Sequence, residues 1–371
     1  MKKQNSESIV EMYGSNVFSE IFMKKYLPKN VFYKLKECIK NQTQLDDESA
    51  TIVAEGMKQW AVERGATHYT HWFQPLNGVT AEKHNSFIYL SEEREDGIVL
   101  KFPIDSLIIG ESDASSFPNG GLRSTFEARG YTRWDYTSPA FLKEDMSGVV
   151  LCIPTTFDTP NGESLDKKRP LLNSCRVLNE ECKRLLKLFN IETELVYPQV
   201  GVEQEYFLID KKMYKNRRDL KLTGCTLFGK KPEKCQETKT HYLGAIPEKV
   251  GIFMKEVDEE LWKAGVLSTT KHNEVAPCQY ELACIHEHVN LASDHNQIVM
   301  ETLKRVADKN DLVCLLHEKP FAYINGSGKH NNWSISTADG ENLLKPGKTS
   351  KENARFLLVL VNTTVGSLSI S

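Results

Sequence analysis

Val200-Gly-Val-Glu-Gln-Glu-Tyr-Phe-Leu-Ile209 decides how this chain is read. Its β-branched and aromatic residues predict a strand, and the two-residue period of a strand puts Glu203 and Glu205 on one face, about 7 Å apart. Phe207 and Ile209 continue that face, so it is expected to turn inward. Two half-buried carboxylates side by side raise each other's pKa unless a cation neutralises them. A solvated E-x-E on an edge strand is the ordinary alternative, and the apolar residues that follow weigh against it.

Two further islands lie downstream. Glu274-Val-Ala-Pro-Cys-Gln-Tyr-Glu281 has Pro277 between its glutamates, so no single straight helix or strand joins them. A bent strand pair would aim both carboxylates at one point, although a surface hairpin explains them equally well. In Lys319-Pro-Phe-Ala-Tyr-Ile-Asn-Gly-Ser-Gly-Lys-His330, the Asn325-Gly-Ser-Gly328 turn lets backbone N–H groups approach phosphate or carboxylate oxygens closely. His330 adds an imidazole, and Ser334 follows at fixed spacing. Four carboxylates (Glu203, Glu205, Glu274 and Glu281) with the His330 imidazole favour Mg²⁺ or Mn²⁺ over zinc, which prefers thiols or more imidazoles. Two such ions would offset the repulsion and leave positions open for polyphosphate, which is the equipment of ATP-dependent group transfer.

Composition narrows the partners. Lysine plus arginine (47) nearly balance aspartate plus glutamate (50), and the net charge of -3 leaves no basic footprint for nucleic acid or anionic lipid. Small-molecule substrates are therefore expected, with no nucleic-acid or membrane partner. The nine cysteines are scattered without a C-x-x-C pair, which fits a reducing, cytoplasmic setting and neither a disulfide framework nor a zinc ribbon. No apolar segment follows the basic start, and the longest apolar run, residues 356–361, is too short to span a bilayer. A soluble, unprocessed chain is expected.

With 371 residues and 40% hydrophobic content, two or three domains are allowed. Residues 1–62 predict a helical N-terminal extension: Ile9, Tyr13, Phe18, Ile21, Phe22 and Tyr26, then Val31, Leu35 and Ile39, recur at three- and four-residue spacing. Residues 63–165 change to short β-rich runs (68–73, 86–90, 97–102, 148–153) between turn residues, predicting a small sheet domain. Residues 166–371 form the last division. It opens with a helix over 171–189 that places Leu172, Val177, Cys182, Leu185 and Leu188 on one side. After the carboxylate strand comes a lysine-rich stretch, 211–239, with the composition of a surface insertion, then helices over 248–264 and 289–317. His286-Glu-His288 is not read as a metal pair, because residues two apart on a helix point in different directions.

Phe117-Pro-Asn-Gly-Gly-Leu-Arg-Ser-Thr-Phe-Glu-Ala-Arg-Gly130, Thr70-His-Trp-Phe-Gln-Pro, Ala81-Glu-Lys-His and the K-P…N-G-S-G-x-H-x-x-x-S pattern together resemble glutamine synthetase of the long type III form. The similarity covers residues 10 to about 355. It implies an α+β fold: a β-grasp domain over 63–165, then a catalytic α/β domain whose curved antiparallel sheet forms a half-funnel around two metals. By motif, Glu205, Glu274 and Glu281 would hold one ion, while Glu203 and His330 would hold the ion that touches the ATP phosphates. Asn325 and Gly326 match the glutamate-binding turn, and Asn332 and Ser334 fall where the family contacts ATP. Asp113 is similar to the loop aspartate that reaches a neighbouring subunit's site and helps deprotonate ammonium. The family assembles as homo-oligomeric stacked rings.

The implied chemistry is ligation of ammonia to L-glutamate. ATP first phosphorylates the side-chain carboxylate; ammonium then loses a proton to a carboxylate such as Asp113 or Glu274 and attacks, giving glutamine, ADP and phosphate. Two departures stand out. Cys278 occupies a position where the family usually has glycine, which is tolerated unless the backbone there needs a positive φ. The type III form continues for several hundred residues past the position of Ser371, including glutamate- and phosphate-binding arginines, the flap glutamate and the last carboxylate ligand of the second ion. On this reading the chain is an incomplete, poorly active copy. The alternatives are a γ-glutamyl-amine ligase using the same acyl-phosphate chemistry, and a non-catalytic relic or interaction subunit.

Overall fold

The computed structural model describes residues 9–41, 43–76, 78–91, 97–111, 130–159, 162–232 and 236–368. Asp113 and residues 117–129 lie outside them. The chain divides into two compact units, Met1–Leu172 with Trp262–Gly265, and Asn173–Leu261 with Val266–Ser371.

The first unit opens with four helices, α1 (Ile9–Met12), α2 (Glu20–Tyr26), α3 (Lys29–Asn41) and α4 (Asp47–Val62). Asp46 caps α4 by accepting the Ser49 N–H at 3.2 Å, and Asp47 and Glu48 in the first turn complement the helix dipole. The buried residues Ala50, Val53, Ala54, Met57, Trp60 and Ala61 fall on one stripe of α4 at helical spacing. Eight strands follow: β1 (Ala66–Trp72), β2 (Asn85–Ser86), β3 (Ile88–Leu90), β4 (Ile98–Leu100), β5 (Ile109–Glu111), β6 (Tyr131–Trp134), β7 (Phe141–Asp145) and β8 (Gly148–Asp158), with α5 (Ile104–Ile108) before β5. Six of them make one mixed sheet in the order β2-β1-β8-β6-β5, with β7 also on β8, and β1 runs parallel to β8. Helices and sheet share one core: Phe18, Leu35, Met57 and Trp60 pack with Tyr69, Phe87, Leu151 and Ile153.

In the second unit, β9 (Val196–Asp210) is the axis. One of its edges pairs antiparallel with β11 (Gln279–Cys284) and β12 (Glu287–His288); the other pairs antiparallel with β14 (Lys329–Thr337) and β13 (Leu312–Leu315). The strand β10 (Ser268–Asn273) lies outside β11. Around this sheet stand α6 (Lys168–Lys187), α7 (Lys211–Lys215), α8 (Arg218–Thr223), α9 (Glu248–Lys263), α10 (Val289–Lys309) and α11 (Ser350–Leu368). Tyr206, Leu208, Tyr280 and Leu282 face one way and are buried, with Tyr206 edge-on to Phe253 of α9 at a centroid distance of 6.1 Å. The opposite face of β9 carries Glu203, Glu205 and Phe207.

Three expectations need correction. Residues 289–317 are not one helix: α10 ends at Lys309, Asp311 takes a left-handed φ of +54°, and Leu312–Leu315 pairs with β9 instead. A short apolar run at the end of a helix reads the same as more helix until a partner strand is known. The buried side of α6 runs through Cys175, Cys182 and Leu186, whereas Val177 and Leu188 are exposed, being rotated away at 3.6 residues per turn. The stretch 211–239 is more than a solvated insertion. Asp219 and Leu220 are buried, and Arg217 grips Asp219 through two hydrogen bonds of 3.0 and 2.6 Å.

Candidate metal centre

Strand register brings the carboxylates together. Glu281 of β11 lies directly opposite Glu205 of β9, and His272 of β10 lies directly opposite Glu281. On the other edge of β9, His330 of β14 lies opposite Glu203. Directly opposed residues in an antiparallel pair share a face, so Glu203, Glu205, Glu281, His272 and His330 all project from the same side of four adjacent strands. Glu274 joins them from the turn between β10 and β11, where its N–H donates to the Gln279 carbonyl at 2.9 Å. The bent strand pair expected from Pro277 is this hairpin.

The contacts divide into two groups. His272 Nε2 lies 3.2 Å from Glu281 Oε1, and its Nδ1 lies 3.8 Å from Glu274 Oε1. The ligand atoms of His272, Glu274 and Glu281 all fall within 4.8 Å of one another. At the other end, Glu203 takes His330 Nδ1 at 2.7 Å and the Asn332 Nδ2–H donor at 2.7 Å on its two oxygens. Between them, Glu205 Oε2 accepts the Gly328 N–H at 2.8 Å. Phe207, Leu220, Ala276, Leu315 and Ile324 form an apolar wall on the Phe207 end of this face.

Electrostatics reflect that wall. Burial pushes the Glu205 carboxyl up, with Glu274 and Glu203 adding to it against the Gly328 N–H. Burial also pushes Glu281 up, against the nearby His272, and Glu203, Glu274 and Glu205 add to the rise. For Glu203 burial works upward too, but the His330 and Asn332 hydrogen bonds prevail and the carboxyl is held below its ordinary range. His272 is opposed by burial yet raised overall, by its bond to the Asn273 carbonyl and by Glu281 and Glu274. Unneutralised carboxylates that resist ionising, with imidazoles beside them, are a donor set suited to a hard divalent cation.

Asn325, Gly326, Asn332 and Ser334 lie on β14 or on the loop before it. The chain between β13 and β14 leaves the sheet after Leu315 and returns at Lys329, and Asn325–Gly328 lies on that excursion. Asn325 is held by Gln236: its Oδ1 accepts from Gln236 Nε2 at 2.9 Å, and its N–H donates to Gln236 Oε1 at 2.8 Å. At Gly326 a Cβ would stand 2.3 Å from the Glu318 carbonyl oxygen, so only glycine fits. Asn332 orients Glu203, while Ser334 donates to Asn342 Oδ1 at 2.5 Å. Asp113 lies outside the described residues. Sequence reasoning missed His272, although a signal existed: a hairpin joining Glu274 to Glu281 with its turn at Pro277 places His272 across from Glu281. It also missed Gln279, whose amide reaches both Glu205 and the excursion loop.

Two family models divide the chain between them, glutamine synthetase type III N terminal over residues 9–174 and the glutamine synthetase catalytic domain over residues 181–361. The chain belongs to the type III glutamine synthetase family. It is 50% identical over 356 residues to the type-3 glutamine synthetase of Dictyostelium discoideum. It is 48% identical over 357 residues to a glutamine synthetase of Bacteroides fragilis (strain YCH46). Each comparison takes in 96% of this chain and 48% of the relative, so the chain spans about half the length of the curated relatives it matches. A cryo-EM structure of Plasmodium falciparum glutamine synthetase has a similar fold, with a TM-score of 0.57 at 17% identity, covering 81% of this chain and 56% of that one.

Within the glutamine synthetase hairpin, Cys278 has a φ of +62°, so the turn does need the left-handed conformation that glycine adopts freely. A non-glycine residue there costs roughly 1–2 kcal/mol, against which glycine loses roughly 0.5–1 kcal/mol of chain entropy. Cys278→Gly is therefore expected to stabilise the protein by about 0.5–1 kcal/mol, read as a higher urea midpoint at unchanged m-value. An unchanged or lower midpoint would show that the cysteine side chain contributes packing worth more than the strain.

Proposed function

We propose that this face is the metal- and phosphate-binding half of an ATP-dependent glutamate–ammonia ligase. One observation carries the reading: three carboxylates and two imidazoles stand in register on one face of β14, β9, β11 and β10, with Glu274 at the adjoining turn. Glu205, Glu274 and Glu281, with His272 beside them, would hold one Mg²⁺ or Mn²⁺, and Glu203 with His330 a second. Such ions, when bound, spread the charge of a transferring phosphoryl group.

The chain's own residues supply the rest of the chemistry. Asn325 and Gly326 would seat L-glutamate, with the excursion loop pinned to the Glu318 carbonyl through the Ser327 N–H at 2.9 Å. Asn332 and Ser334 would meet ATP, and Asn332 fixes the Glu203 carboxylate at the same time. Once the glutamate carboxylate is phosphorylated, ammonium must lose a proton before it attacks. Glu274, its Oε2 held by the Val275 N–H at 3.0 Å, would accept that proton, and Asp113 is the other candidate. Among the described residues no helix is long and apolar enough to cross a membrane. A cytoplasmic location and assembly into stacked rings belong to this same reading.

Isothermal titration of the metal-free protein with Mn²⁺, followed by assay of γ-glutamyl hydroxamate formation with Mn²⁺ and ATP, tests it. Saturable Mn²⁺ binding that is lost on substituting Glu205 or Glu281 is expected. A chain that binds no Mn²⁺ would overturn the assignment.

A further inference from the structure

Gln279 is fully buried, yet nothing in the chemistry above uses it. Its side-chain Nε2 donates to the Gly326 carbonyl at 2.8 Å, and lies 3.4 Å from both Glu205 Oε2 and Ser327 Oγ. Its Oε1 accepts the Ala276 N–H at 3.2 Å, and its backbone closes the hairpin that carries Glu274. One amide therefore touches the metal-ligand strand, the metal-ligand hairpin and the excursion loop. Glu205 Oε2 is shared between Gln279 and the Gly328 N–H, so that oxygen is committed to the protein, and Glu205 Oε1 takes no hydrogen bond among the described residues.

We propose that Gln279 is a positioning residue that couples the conformation of the Asn325–Gly328 loop to cation binding at Glu205. The inference rests on the metal-site reading of Glu205. A primary amide suits the task because it offers two N–H donors and one acceptor at once. The carbonyl of Gly326 orients one donor, the other is left aimed at Glu205, and Oε1 anchors the whole group to the hairpin. If the loop shifts, the amide turns with it and Glu205 Oε2 loses the Gln279 donor along with the Gly328 N–H. Linkage makes the effect reciprocal, so a cation that fixes Glu205 must also favour the seated loop.

Two variants separate this role from simple packing. Gln279→Met keeps the volume and removes every side-chain polar contact. Gln279→Glu keeps the acceptor for the Ala276 N–H and exchanges the donor for a carboxylate oxygen, whose charge repels the Gly326 carbonyl and Glu205. Mn²⁺ affinity is measured by titration, and amide hydrogen exchange of Ser327 and Gly328 is followed with and without saturating Mn²⁺. In the parent protein Mn²⁺ is expected to slow exchange at both amides. In both variants the affinity is expected to fall about 10- to 100-fold, the range for partners that orient metal ligands, and the Mn²⁺-dependent slowing to disappear even at saturation.

Variants that bind Mn²⁺ as the parent does, or bind it weakly but keep the slowing, overturn the coupling. So does a parent protein that binds Mn²⁺ with no change at Ser327 and Gly328, a result that needs no variant to fold. A parent that binds no Mn²⁺ overturns the metal-site reading itself, and the coupling with it.

Discussion

Glu281→Gln is expected to raise the melting temperature of the metal-free protein while removing most of the further rise that Mn²⁺ produces in the parent. Glu281 is 7% exposed and shares its face with Glu203, Glu205 and Glu274, all of which oppose its ionisation. A neutral amide of the same shape ends that repulsion and can still hydrogen-bond His272 Nε2, as acceptor from the imidazolium or as donor to the neutral ring. The gain comes at the cost of a carboxylate proposed to hold the ion. Mn²⁺ at about 100 times its dissociation constant stabilises by about 2.7 kcal/mol; partners that merely orient ligands cost up to about 100-fold in affinity, and a direct ligand costs at least as much. At the same Mn²⁺ concentration the stabilisation then shrinks to about 0.4 kcal/mol or less. Differential scanning of parent and variant, each with and without Mn²⁺, checks both signs. A variant that Mn²⁺ stabilises as strongly as the parent would remove Glu281 from the ligand set.

The same cluster fixes how metal-free stability responds to pH. Glu205 and Glu281 have folded pKa values raised above the ordinary 4.5, so folding takes up protons between 4.5 and the raised values, and stability falls as pH climbs through that window. His272, raised above 6.5, acts in the same direction: its contribution is complete below 6.5 and is lost as pH rises through the folded value. Glu203 runs the other way, contributing above 4.5 and losing that contribution as pH falls through its lowered value. Saturating Mn²⁺ should flatten the decline on the alkaline side.

Gly326→Ala is the second large effect. The new methyl would stand 2.3 Å from the Glu318 carbonyl oxygen and 3.4 Å from Lys319 Cδ. The carbonyl cannot retreat cheaply, because it accepts the Ser327 N–H at 2.9 Å. The excursion loop must open, breaking that bond and the one from Gln279 to the Gly326 carbonyl. Overpacking of this kind costs about 1–3 kcal/mol, and exposing the broken polar contacts to partial satisfaction places the expected loss near the upper end. Gly328→Ala is the control: a Cβ there meets only Glu205 Oε2, at 3.9 Å, an ordinary contact, so the midpoint should change little. Equal urea midpoints for the two variants would show that the loop adapts around Gly326.

How much of this was legible depended on whether a residue's role was set within its own strand. Alternation along Val196–Asp210 was enough to put Glu203 and Glu205 on one face, and Pro277 was enough to require a turn between Glu274 and Glu281. Which residues meet across strands is a matter of register, which the local pattern does not contain. The contacts of Gln279 were hidden for that reason, and His272 comes into view only once the hairpin turn is centred at Pro277, although each lies two residues from a glutamate that was singled out. The strand Leu312–Leu315 was absorbed into the preceding helix because its four residues are apolar in either reading, and only pairing with β9 distinguishes them. Gln236 lay inside a stretch whose lysine-rich composition suggested solvent, yet its amide is the partner of Asn325.

Because β9 is paired along both edges by four other strands, it has no freedom to slide. A slip of a single residue would turn Glu203 and Glu205 toward the packed helices and bring Gln204 and Tyr206 out in their place, an exchange that buries two charges and strips a ring from the interior. Misaligned forms of this sheet should therefore be unable to capture a divalent ion at all. Uptake of Mn²⁺ during refolding would then mark the moment at which the strands have locked into their correct alignment, and not merely the moment at which the chain has collapsed.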